Sequence, residues 1–268
     1  MSASDLTVVI PAFGTRGGLL ERALESVLPG PVIVVDDATP DHSVAELVAR
    51  HPVRYVRRST NGGVAAAQNF GLTFVDTTWV QFLHSDDELL PSAWEAAHPS
   101  GFSVVQGCEQ GRQVPERAPD ARELLEHRVG VHISNYQFRT EFLRSFNFDE
   151  DLRAWEDWDL VFRIARCEHS VYLCGVPFAR ISREATDRLA ASSAMLDGLA
   201  HLYEKFEHDL CRDRRARSIW EFKLARMSVL HGERREAWRW LARSLRTEPL
   251  HPRRVLALIV LLRKHRSS

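Results

Sequence analysis

Three short apolar runs constrain this chain most: Leu6-Thr7-Val8-Val9-Ile10, Val32-Ile33-Val34-Val35 and Trp79-Val80-Gln81-Phe82-Leu83. Each is too short for a helix and rich in β-branched or aromatic residues, the pattern of a buried strand. Pro11 closes the first, Asp36-Asp37 the second, and His84-Ser85-Asp86-Asp87 the third. Helical spacing fills the gaps at Leu19 to Leu28, Ser43 to Arg50 and Val64 to Phe74. Val53 to Arg57 reads as a further strand, Pro91 to Ala97 as a helix opened by proline, and Phe102 to Gln106 as a fifth strand. Repeated βα units of this kind predict an α/β fold. The sheet should be mainly parallel, flanked by helices and joined by right-handed crossovers.

Gly107 to Asp120 is polar, carries Gly111, Pro115 and Pro119, and reads as a loop. Helical pieces follow at Ala121 to His127, Thr140 to Phe146 and Asp157 to Cys167, with a weak strand at Val171 to Leu173. Beyond Glu184 the pattern is helical to the end. The expected division is an α/β domain over 1–184 and a helical, basic region over 185–268. The length of 268 residues fits that arrangement, and 44% hydrophobic residues suffice for a sizeable core.

The net charge of −1 argues against a general nucleic-acid binder. It conceals an asymmetry: from His201 to Ser268 there are 17 Lys and Arg against 8 Asp and Glu. Such a segment suits contact with a membrane surface or another polyanion, and it equally suits solvated helix faces. Arg253-Arg254, the apolar run Val255 to Leu262, and Arg263-Lys264-His265-Arg266 form a basic, apolar, basic series. One reading is an interfacial anchor near lipid-linked acceptors. The other is a packing helix that caps the domain or mediates a homodimer. The apolar run is too short to span a bilayer. Cys108, Cys167, Cys174 and Cys211 lack CxxC spacing, so reduced thiols are expected. With no signal peptide visible, the expected place is cytoplasmic, peripheral at the inner face of the cell membrane.

The chemistry concentrates at four places. Asp36-Asp37 can accept hydrogen bonds from a base or ribose, or can form a turn and helix cap with Ala38-Thr39-Pro40-Asp41. Asn61-Gly62-Gly63 precedes the small residues Val64-Ala65-Ala66-Ala67 and then Gln68-Asn69. Its backbone N–H groups can face a diphosphate, or the segment is a tight turn into a closely packed helix. Asp86-Asp87 stands just past a buried strand's C-terminal end, where open α/β sheets bind ligands. Adjacent acids there suit Mg²⁺ or Mn²⁺ bridging to phosphates, or a cap on the next turn. Trp155-Glu156-Asp157-Trp158-Asp159 opens a helix. Its acids either complement the helix dipole or supply a general base, and its tryptophans either hold a sugar ring or join the core.

In this order the pieces resemble glycosyltransferase family 2, whose members use nucleotide-sugars and have the GT-A fold. The matching stretches are VVIPAFG (Val8 to Gly14), VIVVDDATPD (Val32 to Asp41), NGGVAAAQNFGL (Asn61 to Leu72), WVQFLHSDDEL (Trp79 to Leu89) and FDEDLRAWEDWDLVFRIA (Phe148 to Ala165). The resemblance implies that Pro11, Ala12 and Asp37 line the nucleoside pocket. Asn61, Gly62, Gln68, Ser85 and Asp86 would complete the donor site. It implies a divalent cation, Mn²⁺ or Mg²⁺, on Asp86 with His84, a catalytic base at Asp157, and an acceptor bordered by Trp155, Glu156 and Trp158. The implied reaction is an inverting transfer from a nucleoside-diphosphate sugar, a UDP-sugar in the first instance, to a glycan or lipid-linked acceptor.

Two positions depart from the family pattern. His84 stands where aspartate is usual, so the metal motif brings one carboxylate fewer. Gln68 stands where arginine is frequent, so a cation is missing near the diphosphate. Two other readings stay open. A nucleotidyltransferase would need a basic phosphate loop, of which Arg16-Gly17-Gly18 is a faint echo. A non-catalytic sugar-nucleotide binder would explain His84 and Gln68 but not the retained Asp157.

Overall fold

The computed structural model describes residues 5–14, 18–108, 121–127, 130–166, 171–182 and 193–248. Arg16 and Gly17, most of the expected loop before Asp120, Cys167, and the basic-apolar-basic terminus lie outside the described residues. The chain divides into two compact units: 1–124 with 129–185, and 125–128 with 186–268.

The first unit is built on seven strands: β1 (Leu6–Ala12), β2 (Val32–Asp36), β3 (Arg54–Arg57), β4 (Trp79–Phe82), β6 (Val104–Gln106), β7 (Tyr136–Arg139) and β8 (Val171–Leu173). Their order is β3-β2-β1-β4-β7-β6-β8. β1 pairs in parallel with β2 and β4, β2 with β3, and β6 with β8, while β7 runs antiparallel between β4 and β6. A separate antiparallel pair joins β5 (Glu88–Leu89) to β9 (Ala179–Arg180). The mainly parallel sheet flanked by helices is the expected α/β architecture.

Sequential βα units explain the parallel half. Helices α1 (Leu19–Val27), α2 (Ser43–Val48) and α3 (Val64–Leu72) connect β1 to β2, β2 to β3 and β3 to β4. On one face Leu6, Val8 and Ile10 of β1 and Val34 of β2 pack against Leu20 and Leu24 of α1 and Val44 of α2. Each fully buried aliphatic there contributes about 1.5–3 kcal/mol. On the other face α3 lies so close that a Cβ on Gly71 would stand 2.5 Å from Val9 and 2.8 Å from Val35. Its Ala65, Ala66 and Ala67 are buried for the same reason: only small side chains allow that approach.

The seventh strand was not expected. Tyr136 and Phe138 are buried on one face of β7 and Gln137 is buried on the other. Gln137 donates to Gln81 Oε1 at 2.9 Å and to the Ala93 carbonyl at 2.7 Å, so its polar amide does not mark a solvent face. Four further helices complete the unit: α4 (Pro91–Trp94), α5 (Ala121–Leu125), α6 (Thr140–Arg144) and α7 (Glu156–Ala165). The last residue of α5 is counted with the second unit.

The second unit holds α8 (Ser193–Lys205), α9 (Glu207–Arg212), α10 (Arg214–Leu230) and α11 (Arg234–Thr247). Asp213 caps α10, accepting from the backbone N–H of Arg215 and Ala216 at 3.0 Å each. Ala225 and Val229 of α10 pack on Ala237 and Leu241 of α11. The fully buried Glu221 accepts from Tyr203 Oη at 3.0 Å, Arg217 Nε at 3.1 Å and Thr247 Oγ1 at 2.8 Å. Among the described residues, no helix is long and apolar enough to cross a membrane.

Candidate active site

The chain adds strands to one side of β1 and then, at β4, to the other. Ligands of open α/β sheets bind outside the strands' carboxyl ends at such a reversal. Pro11 and Ala12 end β1, Asp36 ends β2, and His84 lies just past β4. The sheet alone therefore brings these residues to one edge.

The two adjacent acids after β2 have separate jobs. Asp36 is fully buried and accepts from Thr39 N at 2.8 Å, Tyr55 Oη at 2.6 Å and Arg57 Nη1 at 2.7 Å. Burial pushes its pKa up, but the hydrogen bonds from Thr39 and Tyr55 and the Arg57 charge outweigh this and hold it below the usual range. Asp37 braces the loop before α3. Its N–H donates to the Ala12 carbonyl at 2.9 Å, and Asn61 Nδ2 donates to its carbonyl at 3.2 Å. Its carboxylate pairs with Arg58 and accepts from Gly62 N at 3.1 Å and Gly63 N at 2.8 Å.

This corrects two expectations. The Gly62 and Gly63 N–H groups bind Asp37 instead of facing outward for a diphosphate. Gln68 is fully buried in α3, and neither end of its amide is hydrogen-bonded among the described residues, so it does not line an open donor pocket. The cations at this loop are Arg58 and Arg153, neither singled out by sequence. A Cβ on Gly63 would stand 2.6 Å from Arg153 Nη1. Gly63 has φ 86°, a conformation that also favours glycine.

Past β4, His84, Asp87 and His132 form one cluster. A ring nitrogen from each histidine and a carboxylate oxygen of Asp87 lie within 4.8 Å of one another. His132 Nδ1 is 3.6 Å and His84 Nδ1 4.0 Å from Asp87 Oδ2. Ser134 Oγ donates to Asp87 Oδ2 at 2.7 Å and Ser182 N to Oδ1 at 2.8 Å, which fixes that carboxylate. Asp86, expected as the principal ligand with His84, is half-buried and stands outside the cluster. Ser85 is likewise half-buried.

The second acidic signature shares this field. Burial alone would lower the His84 pKa, but the negative charges of Asp87, Glu156, Asp86 and Asp157 together raise it. His132 goes the other way, down to about 3, because burial and the neighbouring His84 charge outweigh Asp86. Burial and then the Asp157 charge push Glu156 up to about 7, against the pull of His84. Burial also raises Asp157, against His84 and backbone N–H groups that include Trp158 and Ile133. A carboxylate raised in this way is suited to take a proton near neutrality.

The local fold separates Asp157 from its neighbours. Trp155 opens α7 with φ 69°, the left-handed region, strained for a non-glycine residue. Asp159 is fully buried and bound by Arg163 Nε at 2.8 Å, which leaves it a structural partner. Trp158, expected beside the acceptor, is buried and stacks on Phe162 with ring centroids 4.9 Å apart. That gives it a packing role and leaves Trp155, half-buried, as the aromatic at the mouth of the helix.

Residues 7–98, which carry the first four matching stretches, fit the family model described as Glycosyl transferase family 2. Over this segment the chain is similar to glycosyltransferase family 2. The succinoglycan biosynthesis protein ExoW of Rhizobium meliloti is 39% identical over 117 residues, which are 39% of this chain and 36% of ExoW. The chain covers between 20% and 61% of the lengths of the curated relatives it matches. A mannosyltransferase from Pyrobaculum calidifontis, solved with GDP-Man and Mn²⁺, superposes with a TM-score of 0.54 at 18% identity, covering 98% of this chain and 79% of that one. S. aureus TarS 1-349, solved with UDP-GlcNAc, gives a TM-score of 0.51 at 15% identity, covering 88% and 89%. At these identities the two structures establish a shared GT-A fold.

Proposed function

We propose that this chain is an inverting glycosyltransferase. It moves a sugar from a nucleoside-diphosphate sugar to a hydroxyl of a glycan or lipid-linked acceptor in envelope or extracellular polysaccharide synthesis. The observation that carries the reading is the electrostatic meeting of His84, Asp86 and Asp87 with Glu156 and Asp157, although Asp86 and Asp157 are 71 positions apart. One end of that field suits a donor's diphosphate and the other holds a base. The names of the relatives and neighbours support both donor class and pathway class: ExoW acts in succinoglycan biosynthesis, and the two neighbours were solved with UDP-GlcNAc and GDP-Man.

In this mechanism Asp37, held against β1 and the Asn61-Gly62-Gly63 loop, sets the nucleoside side of the cleft. Arg153 meets the diphosphate. Asp157 takes the proton of the acceptor hydroxyl as that oxygen bonds to the anomeric carbon. The carbon–oxygen bond to the diphosphate breaks on the opposite face, and the carbon inverts. A divalent cation, when bound, would offset the charge that develops on the leaving diphosphate. His84, Asp87 and His132 fit one, because His84 Nε2 and His132 Nδ1 are buried without a hydrogen-bond partner among the described residues.

The test is a thermal-shift panel of UDP-, GDP- and dTDP-sugars with Mn²⁺, followed by NMR of the anomeric proton during transfer. A ligand that binds the native state raises its Tm. Stabilisation by one donor and a product of inverted configuration support the reading. No donor stabilisation, or retained configuration, defeats it.

A further inference from the structure

The donor set of the cation site points to a particular class of metal. We propose that His84, Asp87 and His132 form a site of two imidazoles and one carboxylate that takes Mn²⁺, Fe²⁺, Co²⁺ or Zn²⁺ in preference to Mg²⁺. This rests on the glycosyltransferase reading for the cation's purpose, though not for its binding. Three observations carry it.

The first is geometry. Donors around a tetrahedral cation with bonds near 2.1 Å lie about 3.4 Å apart. His132 Nδ1 and Asp87 Oδ2 are 3.6 Å apart, so a cation needs only a few tenths of an ångström of contraction on that edge. His84 Nδ1, 4.0 Å from the same oxygen, needs a larger contraction.

The second is that the site is prepared from behind. Ser134 Oγ and Ser182 N each hold one oxygen of Asp87, the outer-shell support that orients ligating carboxylates. Ser134 Oγ also accepts from the His84 backbone N–H at 3.1 Å, which ties the His84 backbone to the same support.

The third is donor chemistry. Mg²⁺ demands hard oxygen ligands and keeps its waters, whereas imidazole suits the first-row transition ions. Two histidines beside a single carboxylate offer softer nitrogen donors and less negative charge than an all-carboxylate set. Asp86 stays outside the three-residue set, free for the donor or the acceptor.

The experiment uses the tag-free chain after chelator treatment, titrated with Co²⁺ and followed by visible absorption, then competed with Mg²⁺ and with Mn²⁺. The expected result is a d–d band lost in Asp87→Asn and His132→Asn, retained in Asp86→Asn, and resistant to about a ten-fold molar excess of Mg²⁺. Electron spin echo modulation of Mn²⁺ on the unsubstituted protein reads imidazole nitrogen directly, so the result holds even if a variant fails to fold. Absence of nitrogen modulation, displacement by equimolar Mg²⁺, or loss of the band only in Asp86→Asn overturns the site. Calorimetry with UDP-GlcNAc and GDP-mannose on the same samples separates the two readings. Donor binding without a histidine-bound metal sinks this inference alone. A histidine-bound metal with no donor binding sinks the transferase reading.

Discussion

Gly63 donates its backbone N–H to Asp37 Oδ2 across 2.8 Å, and this bond ties the end of β2 to the start of α3. With Arg58 and Gly62 on the same carboxylate, Asp37 is a structural knot as well as a candidate nucleoside contact. Asp37→Ala should cost about 1–3 kcal/mol, because it strands buried donors and a cation. Chemical denaturation measures the cost, and calorimetry with UDP measures donor affinity, which should fall as well. Unchanged stability would mean that the loop holds itself.

Arg153 stands over Gly63 and is exposed, with no ion pair to any described residue. In the proposed donor site it would supply the cation that Gln68 does not. Arg153→Gln should weaken UDP binding by about ten-fold, the scale of one charge-assisted hydrogen bond, while leaving Tm within a degree or so. Calorimetry at two salt concentrations checks it, since the wild-type contact is partly screened. Equal affinity in both proteins removes Arg153 from the donor site.

The parallel half of the sheet was legible because β1, β2 and β4 are buried on both faces and read as largely apolar runs that Thr7 and Gln81 interrupt only singly, each followed by a helix-spaced stretch or an acidic turn. β7 was not, because Gln137 is polar yet buried, and its partners Gln81 and Ala93 come from distant parts of the chain. The acidic signatures were visible as strand-end and helix-start motifs. His132 carried no such signal. It precedes a 3₁₀ turn at Ile133–Asn135, and only the placement of β7 beside β4 brings it to Asp87. Arg58 and Arg153 were hidden for the same reason: nothing local distinguishes them from solvated arginines. Trp158 shows the converse, since an aromatic beside an acid looks functional until its stacking on Phe162 is seen.

His127 makes the helical unit sensitive to acid. Burial, with the Lys223 charge, pushes its pKa down to about 3 from 6.5. The unfolded chain therefore binds a proton below 6.5 that the folded chain refuses. The associated stability is whole above that pH and is lost as pH falls toward 3, with a slope of at most about 1.4 kcal/mol per pH unit. His127→Asn removes the titration while tolerating the residue's φ of 52°. Denaturation curves at pH 7.5 and 5.0 should differ less in the variant than in the wild type. An identical pH dependence in both would refute the assignment.

Glu221 joins α10 to α8 and α11 through Tyr203, Arg217, Arg243 and Thr247. Removing one member of a buried ionic network leaves the others uncompensated, at about 3–5 kcal/mol. Glu221→Ala should therefore unfold the helical unit earlier in denaturant, whereas Glu236→Ala, in the exposed pair with Arg239, should cost under about 1 kcal/mol. Comparable midpoints for the two variants would show that the Glu221 network contributes little.

Asp157 decides whether the site is catalytic. Asp157→Asn keeps size and polarity but cannot take a proton, so transfer should fall by ~10²–10⁴ while donor affinity stays within a few-fold of wild type. Glu156 and Asp159 are the controls on the same turn, and the structure separates them. Asp159 is bound by Arg163, so Asp159→Asn should lower Tm more than it lowers transfer. Glu156 and Asp157 titrate as a coupled pair, both raised, with Glu156 near 7. The base works only when deprotonated, so transfer should fall with acidification from a pH above the ordinary carboxylate range. Glu156→Gln removes a like charge and should move that acid limb to lower pH. A pH–rate profile of the three variants on one acceptor reads all of this. If Glu156→Gln is inactive and Asp157→Asn is not, the proton goes to Glu156. If both transfer normally, neither carboxylate is the base.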